Sequence, residues 1–244
     1  MAADASGPEP FPEATGEAGP ARPLTDAQKA LRAQMLATEH WSLLASRSTT
    51  QSEVLTRIAI FLTLVSAGLV TLGVLGNATA FRGWFGVAAL GVLFLLVILG
   101  LITQLRVFNT ATEDLVYVLA MNRLRAAYVD LDPGIEPYIM MGTADDAAGV
   151  DRTYYAYAVR SRSQVLGSSM MLILVVHSAL VGLFVGALAY AIVGSVDLAI
   201  LVGSVLVLVA FALWMVWGYH GYRQVLRLHE PLRRTGGSGA EHGS

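Results

Sequence analysis

Four apolar runs dominate the chain, at 54–75, 84–105, 169–193 and 198–218, with polar stretches before, between and after them. A bilayer's hydrocarbon core is about 30 Å thick, which a helix rising about 1.5 Å per residue crosses in about 20 residues. Each run is long enough and predicts a membrane-spanning helix. The expected fold class is all-α: an integral membrane protein with four transmembrane helices in two hairpins, and cytoplasmic helical extensions. The expected division is a disordered N-terminal tail at 1–23, a cytoplasmic amphipathic helix at 24–53, and a first transmembrane hairpin at 54–105. A cytoplasmic helical and acidic linker follows at 106–166, then a second hairpin at 167–222 and a cytoplasmic tail at 223–244 with a disordered end.

The polar stretches carry helical signals of their own. Thr25 to Gln28 has the Thr-x-x-Gln form of a capping box, and Ala27, Leu31 and Met35 recur every four residues, predicting a helix to about Arg47. The polar cluster 46–52 is expected to interrupt it, with Thr50 and Glu53 opening the first span as a second capping box. After the second span Leu101, Phe108, Ala111, Leu115 and Val118 keep the spacing of three and four, so that span is expected to continue as a stalk. Asp132-Pro133-Gly134 ends it, because proline restricts the residue before it and glycine permits the turn. Asn122 falls where the stripe next requires a core residue. It either fixes the register of a helical association or, more economically, is a polar residue on a fraying helix end.

Composition narrows the chemistry. The chain is 55% hydrophobic and 14% charged with a net charge of −2, which implies no nucleic-acid partner. It has no cysteine, so disulfides, thiolate metal sites and cysteine nucleophiles are all excluded. The 16 basic residues comprise fifteen Arg and the single Lys29, a skew expected of a GC-rich bacterial genome. Of these 16 only Arg82 lies at a hairpin tip. The positive-inside rule therefore places both termini and the linker in the cytoplasm of a bacterial cell with a multi-pass protein in its cytoplasmic membrane. Phe81, Trp84, Phe85 and Tyr190 lie near the outer boundary and Trp214, Trp217, Tyr219 and Tyr222 near the inner one. Trp84, Trp214, Trp217 and a snorkelling Arg57 are the expected interface anchors. Asn77-Ala78-Thr79 matches a glycosylation acceptor by spacing, which a bacterial origin makes a chance match.

All eight prolines lie outside the spans, which argues against the broken helices of secondary transporters, and no Asp, Glu or Lys sits inside a span. His177 is the one ionisable group well inside hydrocarbon. It is a candidate pore or polar intramembrane residue with Thr63 and Ser66, or, on the simpler reading, a neutral imidazole hydrogen-bonded to those two neighbours. Ser178, Gly182 and Gly186 form a small-xxx-small ladder, the expected helix-packing seam, within one chain or between chains. Asp130, Asp132, Glu136, Asp145, Asp146 and Asp151 match no calcium loop and read as a solvated acidic linker. No nucleophile elbow, zinc box or phosphate loop is present, so no catalytic, metal or cofactor-binding residue is expected. Arg47-Ser48-Thr49-Thr50-Gln51 before the first hairpin echoes Arg160-Ser161-Arg162-Ser163-Gln164 before the second, the trace expected of a duplicated two-span unit or of shared composition alone.

Three segments, Glu39-His40-Trp41-Ser42-Leu43-Leu44, Met121-Asn122-Arg123-Leu124-Arg125-Ala126-Ala127-Tyr128 and Glu136-Pro137-Tyr138, resemble a family of uncharacterised four-span membrane proteins of GC-rich bacteria. That resemblance implies a fold and no activity. The helix order is also similar to SLATT-type effectors of bacterial conflict systems, which implies an oligomeric membrane pore. The expected function is a non-enzymatic membrane scaffold or interaction protein, with a pore-forming effector and an accessory transport subunit as alternatives. Its expected partners are the lipid bilayer, further copies of the chain, and a cytoplasmic protein reached through 106–166.

Overall fold

The computed structural model describes residues 24–156 and 167–236, and all regular structure among them is helical. The helices are α1 (Asp26–Ala78), α2 (Phe85–Leu131), α3 (Ala147–Tyr154), α4 (Ser169–Val193) and α5 (Val196–Leu228), with a 3-10 helix at Pro133–Tyr138. Four of them, α1, α2, α4 and α5, are long and apolar enough to cross a membrane. The expected N-terminal tail, residues 237–244 of the C-terminal tail, and the second half of the duplicated box with Arg160 and Arg162 lie outside the described residues.

Thr25 caps α1 as expected: its Oγ1 accepts from the Gln28 N–H at 3.3 Å while Gln28 Oε1 accepts from the Thr25 N–H at 3.0 Å. The expected interruption at 46–52 does not occur, and α1 is one helix of 53 residues, about 80 Å long. Its cause is local. No glycine or proline lies between Asp26 and Ala67, and Thr49, Thr50 and Thr56 each turn their hydroxyl onto the carbonyl four residues back, at 2.9 to 3.0 Å. The hydroxyls are satisfied inside the helix, so the polar cluster does not compete with it. Glu53 is drawn instead to Arg57 at 2.9 Å and Arg106 at 3.3 Å, and the boundary between the extension and the first span falls inside a single element.

The second apolar run does continue as a stalk, α2 running 47 residues to Leu131 and capped by Asp132, whose carboxylate accepts from Gly134 N–H at 2.9 Å. Two cores result. Among the apolar runs, Val54, Ile58, Phe61 and Val65 of α1 meet Leu93, Leu96 and Val107 of α2 and Ile173 and Leu180 of α4. Beyond the apolar runs, Leu115, Val118, Leu119 and Met121 of α2 gather Leu43 of α1, Val150 of α3, and Tyr222, Val225 and Leu226 of α5. The far end of α5 thereby joins the stalk, although α5 itself buries only Gly203, Ala210 and Trp214.

The hairpin tips differ. α4 ends on Gly194 in the left-handed region at φ 74°, where glycine carries no penalty. After α1, Ala80 (φ 48°) and Phe81 (φ 56°) take that conformation without glycine. Phe81 N–H donates to Gly76 O at 2.8 Å and Ala80 N–H to Asn77 O at 3.2 Å, the two bonds of a Schellman motif.

Candidate functional site

The small-residue ladder on α4 is a seam within the chain. A Cβ on Gly182 would lie 2.6 Å from the Gly203 carbonyl oxygen and 2.3 Å from Val207 Cγ2, and one on Gly203 would lie 2.9 Å from the Gly182 oxygen. Only hydrogen fits between these backbones, so Gly182 and Gly186 pack against α5 of the same molecule. Beside the seam, Gly182, Gly186, Ala199 and Gly203 contribute to a groove of about 750 Å³ with Leu93, Tyr190 and Ser204.

His177 is buried, but Thr63 and Ser66 are not its partners. Both lie on the exposed face of α1 with their hydroxyls bonded to Ala59 O and Leu62 O at 2.9 Å, the sequence having placed them at the right depth on the wrong face. His177 Nε2 instead lies 3.2 Å from Val97 O on α2. A carbonyl can only accept, so the neutral ring carries its proton on Nε2 and leaves Nδ1 a bare acceptor. The imidazole fits because α2 presents Gly100, where a Cβ would lie 2.5 Å from His177 Cδ2.

Trp214, expected as an interface anchor, is buried inside the bundle. Its indole packs on the His177 ring at 5.6 Å, on Phe108 at 5.6 Å and flat on Trp217 at 5.2 Å. Trp217, Trp84 and Arg57 are exposed. Gln104 completes the cluster by position, one turn from Gly100 and one from Phe108. It is wholly buried with neither amide atom bonded among the described residues, as are Ser178 Oγ, Thr110 Oγ1 and His177 Nδ1. Sequence reading missed Gln104, although an amide between Gly100 and Phe108 on an otherwise apolar face was a visible signal. The polar cluster does not cross the bundle: towards the hairpin tips the core is Val65, Leu93, Leu96 and Leu180.

Outside the apolar runs, two carboxylates organise the stalk, and neither behaves as part of a solvated surface. Asp114 accepts from Arg47 Nε at 2.6 Å, Gln51 Nε2 at 2.8 Å and Tyr154 Oη at 2.7 Å, joining α1, α2 and α3. Burial, and then the Asp114 charge, push the Tyr154 phenol up, so it stays a neutral donor. Asp145, expected in a solvated acidic linker, is wholly buried. It accepts from Arg123 Nε, from the backbone N–H of Arg233 at 2.8 Å and of Leu232 at 3.1 Å, and its Oδ2 lies 3.1 Å from His229 Nε2. Burial opposes its charge, but these donors prevail and hold the carboxyl at about 2. Asp146 caps α3 through Gly149 N–H at 2.8 Å and accepts from Thr235 N–H at 2.6 Å. The C-terminal segment is thus fastened to the linker by adjacent aspartates.

Asn122 is no frayed-end residue. It is wholly buried, donating to Ala144 O at 2.9 Å and accepting from Thr153 Oγ1 at 2.8 Å and Arg125 Nη1 at 2.7 Å. It fixes how the linker and α3 fold back on α2, inside one chain. Among the described residues no group of three or more His, Asp or Glu could hold a metal ion.

The exposed face of α1 carries a pattern the sequence reading passed over. Ser42, Thr49, Thr56 and Thr63 recur every seven residues, as do Ala45, Ser52, Ala59, Ser66 and Gly73, and every one is exposed. A period of seven would have revealed it. No family model matches the chain, and no curated protein and no solved structure matches it.

Proposed function

We propose that this chain is a non-enzymatic scaffold or interaction protein of a bacterial cytoplasmic membrane, with both termini and the stalk in the cytoplasm. One observation carries the reading. α1 and α2 leave the apolar bundle without a break and form a stalk whose outer face bares Leu31, Met35 and Trp41 at 56%, 64% and 69% exposure. Large apolar side chains held in water on a rigid arm mark an interaction surface. The charge distribution supports the orientation, since Arg82 is the one basic residue at either tip. An apolar-filled bundle supports a structural role over passage of ions through a single copy.

The test is the surface variant L31S/M35S/W41S. It inserts and folds as the parent does but loses a cytoplasmic partner that the parent retains through purification. Retention of that partner by the variant counts against the reading.

A second reading, an oligomeric pore, is favoured by the seven-residue rows of small and hydroxyl side chains on α1. Because α1 is continuous from stalk to tip, copies in one membrane would align this helix in parallel, and small residues permit close approach. In a chain without cysteine, S52C placed on that face forms a disulfide between copies and V54C in the core does not. Ion flux into liposomes holding the purified protein selects the pore over the scaffold.

A further inference from the structure

Arg125 is the one arginine among the described residues that is neither exposed nor paired with a carboxylate. Arg47, Arg57, Arg106, Arg123 and Arg233 all have acidic partners, and the remaining described arginines are exposed to water. Arg125 has only neutral ones, Asn122 Oδ1 at 2.7 Å and Met141 Sδ at 3.3 Å. Its surroundings add positive charge. Burial, and after it the charge of Arg47, push the Arg125 guanidinium down, and burial followed by Arg125 pushes His40 down. His40 Nδ1 is buried without a partner among the described residues, and its ring lies 6.2 Å from that of Tyr128, whose phenol burial pushes up and so keeps a neutral donor. Asp114, which pairs with Arg47, is already satisfied by Arg47, Gln51 and Tyr154.

A half-buried guanidinium without a counter-ion is costly, whereas its planar fork matches an oxyanion. The segment 157–166, which follows α3, contains no acid that would neutralise it. We propose that Arg125, with His40 and Tyr128 beside it, forms a binding site for a small soluble oxyanion at the junction of α1, α2 and the linker. The recognised group is a phosphate or a carboxylate. Arg125 supplies the charge and free N–H donors, and Tyr128 and His40 supply the flanking rings. The site lies on the elements that Asn122 and Thr153 hold together, so an occupant also ties the linker to the stalk.

The experiment is thermal melting of the full chain in detergent with inorganic phosphate, ATP or citrate, against chloride at equal ionic strength. At least one oxyanion raises the melting temperature by several degrees. A response to inorganic phosphate or ATP alone identifies the phosphate group, and one to citrate alone the carboxylate. Arg125→Met abolishes the rise and melts no lower than the parent in chloride, because it removes an unpaired charge. The proposal is overturned if no oxyanion shifts the parent, if Arg125→Met responds equally, or if Arg125→Met melts lower in chloride. It is also overturned if removing residues 1–23, which carry Asp4, Glu9, Glu13 and Glu17, lowers the melting temperature in a manner that Arg125→Met cancels. The counter-ion would then be the chain's own tail.

Discussion

Gly100 of α2 and His177 of α4 fit as a matched pair, the imidazole occupying the space a side chain at 100 would need, with its Cδ2 2.5 Å from where a Cβ would stand. Overfilling a packed core costs about 1–3 kcal/mol. Gly100→Ala should therefore lower stability in detergent by about that much, as read by thermal melting. Combining it with His177→Ala should recover part of the loss, because the pair shares one space. Strict additivity would show that the two residues do not touch.

The α4–α5 seam makes a contrasting prediction for glycines. A Cβ at Gly182 meets the Gly203 carbonyl, a backbone atom that cannot swing aside, so Gly182→Ala should destabilise by about 1–3 kcal/mol. Val207→Ala should not rescue it. Gly73 and Gly91 have nothing within 4 Å of a built Cβ, and alanine there should be neutral or stabilise by up to about 1 kcal/mol through helix propensity. Melting curves of the three variants decide the matter, and equal losses would refute the seam.

Asp145 gives the stalk its pH dependence. Its folded pKa of about 2 lies below the ordinary carboxylate value, so the stabilisation it supplies is present above the unfolded pKa and is lost as pH falls through the folded one. At neutral pH that amounts to about 2 kcal/mol, and acid titration of stability should show it disappearing between about pH 4 and pH 2. Asp145→Asn leaves Arg123 without its acid and should cost about 3–5 kcal/mol at neutral pH. A variant whose acid titration still matches the parent's would remove Asp145 from this role.

Much of the fold was legible because period and length are strong signals. The four runs, the Thr25 capping box and the stop at Asp132-Pro133-Gly134 each rest on local chemistry, and each appears in the structure. What could not be read depends on which face meets which neighbour. Thr63 and Ser66 share a depth with His177 but face away from it. The polar cluster at 46–52 looked like a break because hydroxyl residues favour caps, yet their bonds to carbonyls four residues back keep the helix intact. Asp145 looked solvated, and Asn122 like a fraying-end residue, because their partners on the linker and the C-terminal segment arrive from 22 to 88 positions away.

The first hairpin tip carries a removable strain. Ala80 holds φ at 48° where this helix ending ordinarily uses glycine, at a cost of about 1 kcal/mol. Ala80→Gly should raise stability by up to about that amount, measured by melting. A loss of stability would mean that the Ala80 methyl makes a contact that matters more than the strain.

Absence of cysteine allows the arrangement as a whole to be tested one residue at a time. Single cysteines at Ala80 and Ser195 on the two tips, and at Met140 and Thr235 on the stalk side, are to be exposed to a membrane-impermeant thiol reagent outside intact cells. Labelling of A80C and S195C, with M140C and T235C reacting only after the cells are opened, is the result this account predicts. Labelling of M140C or T235C from outside would contradict it.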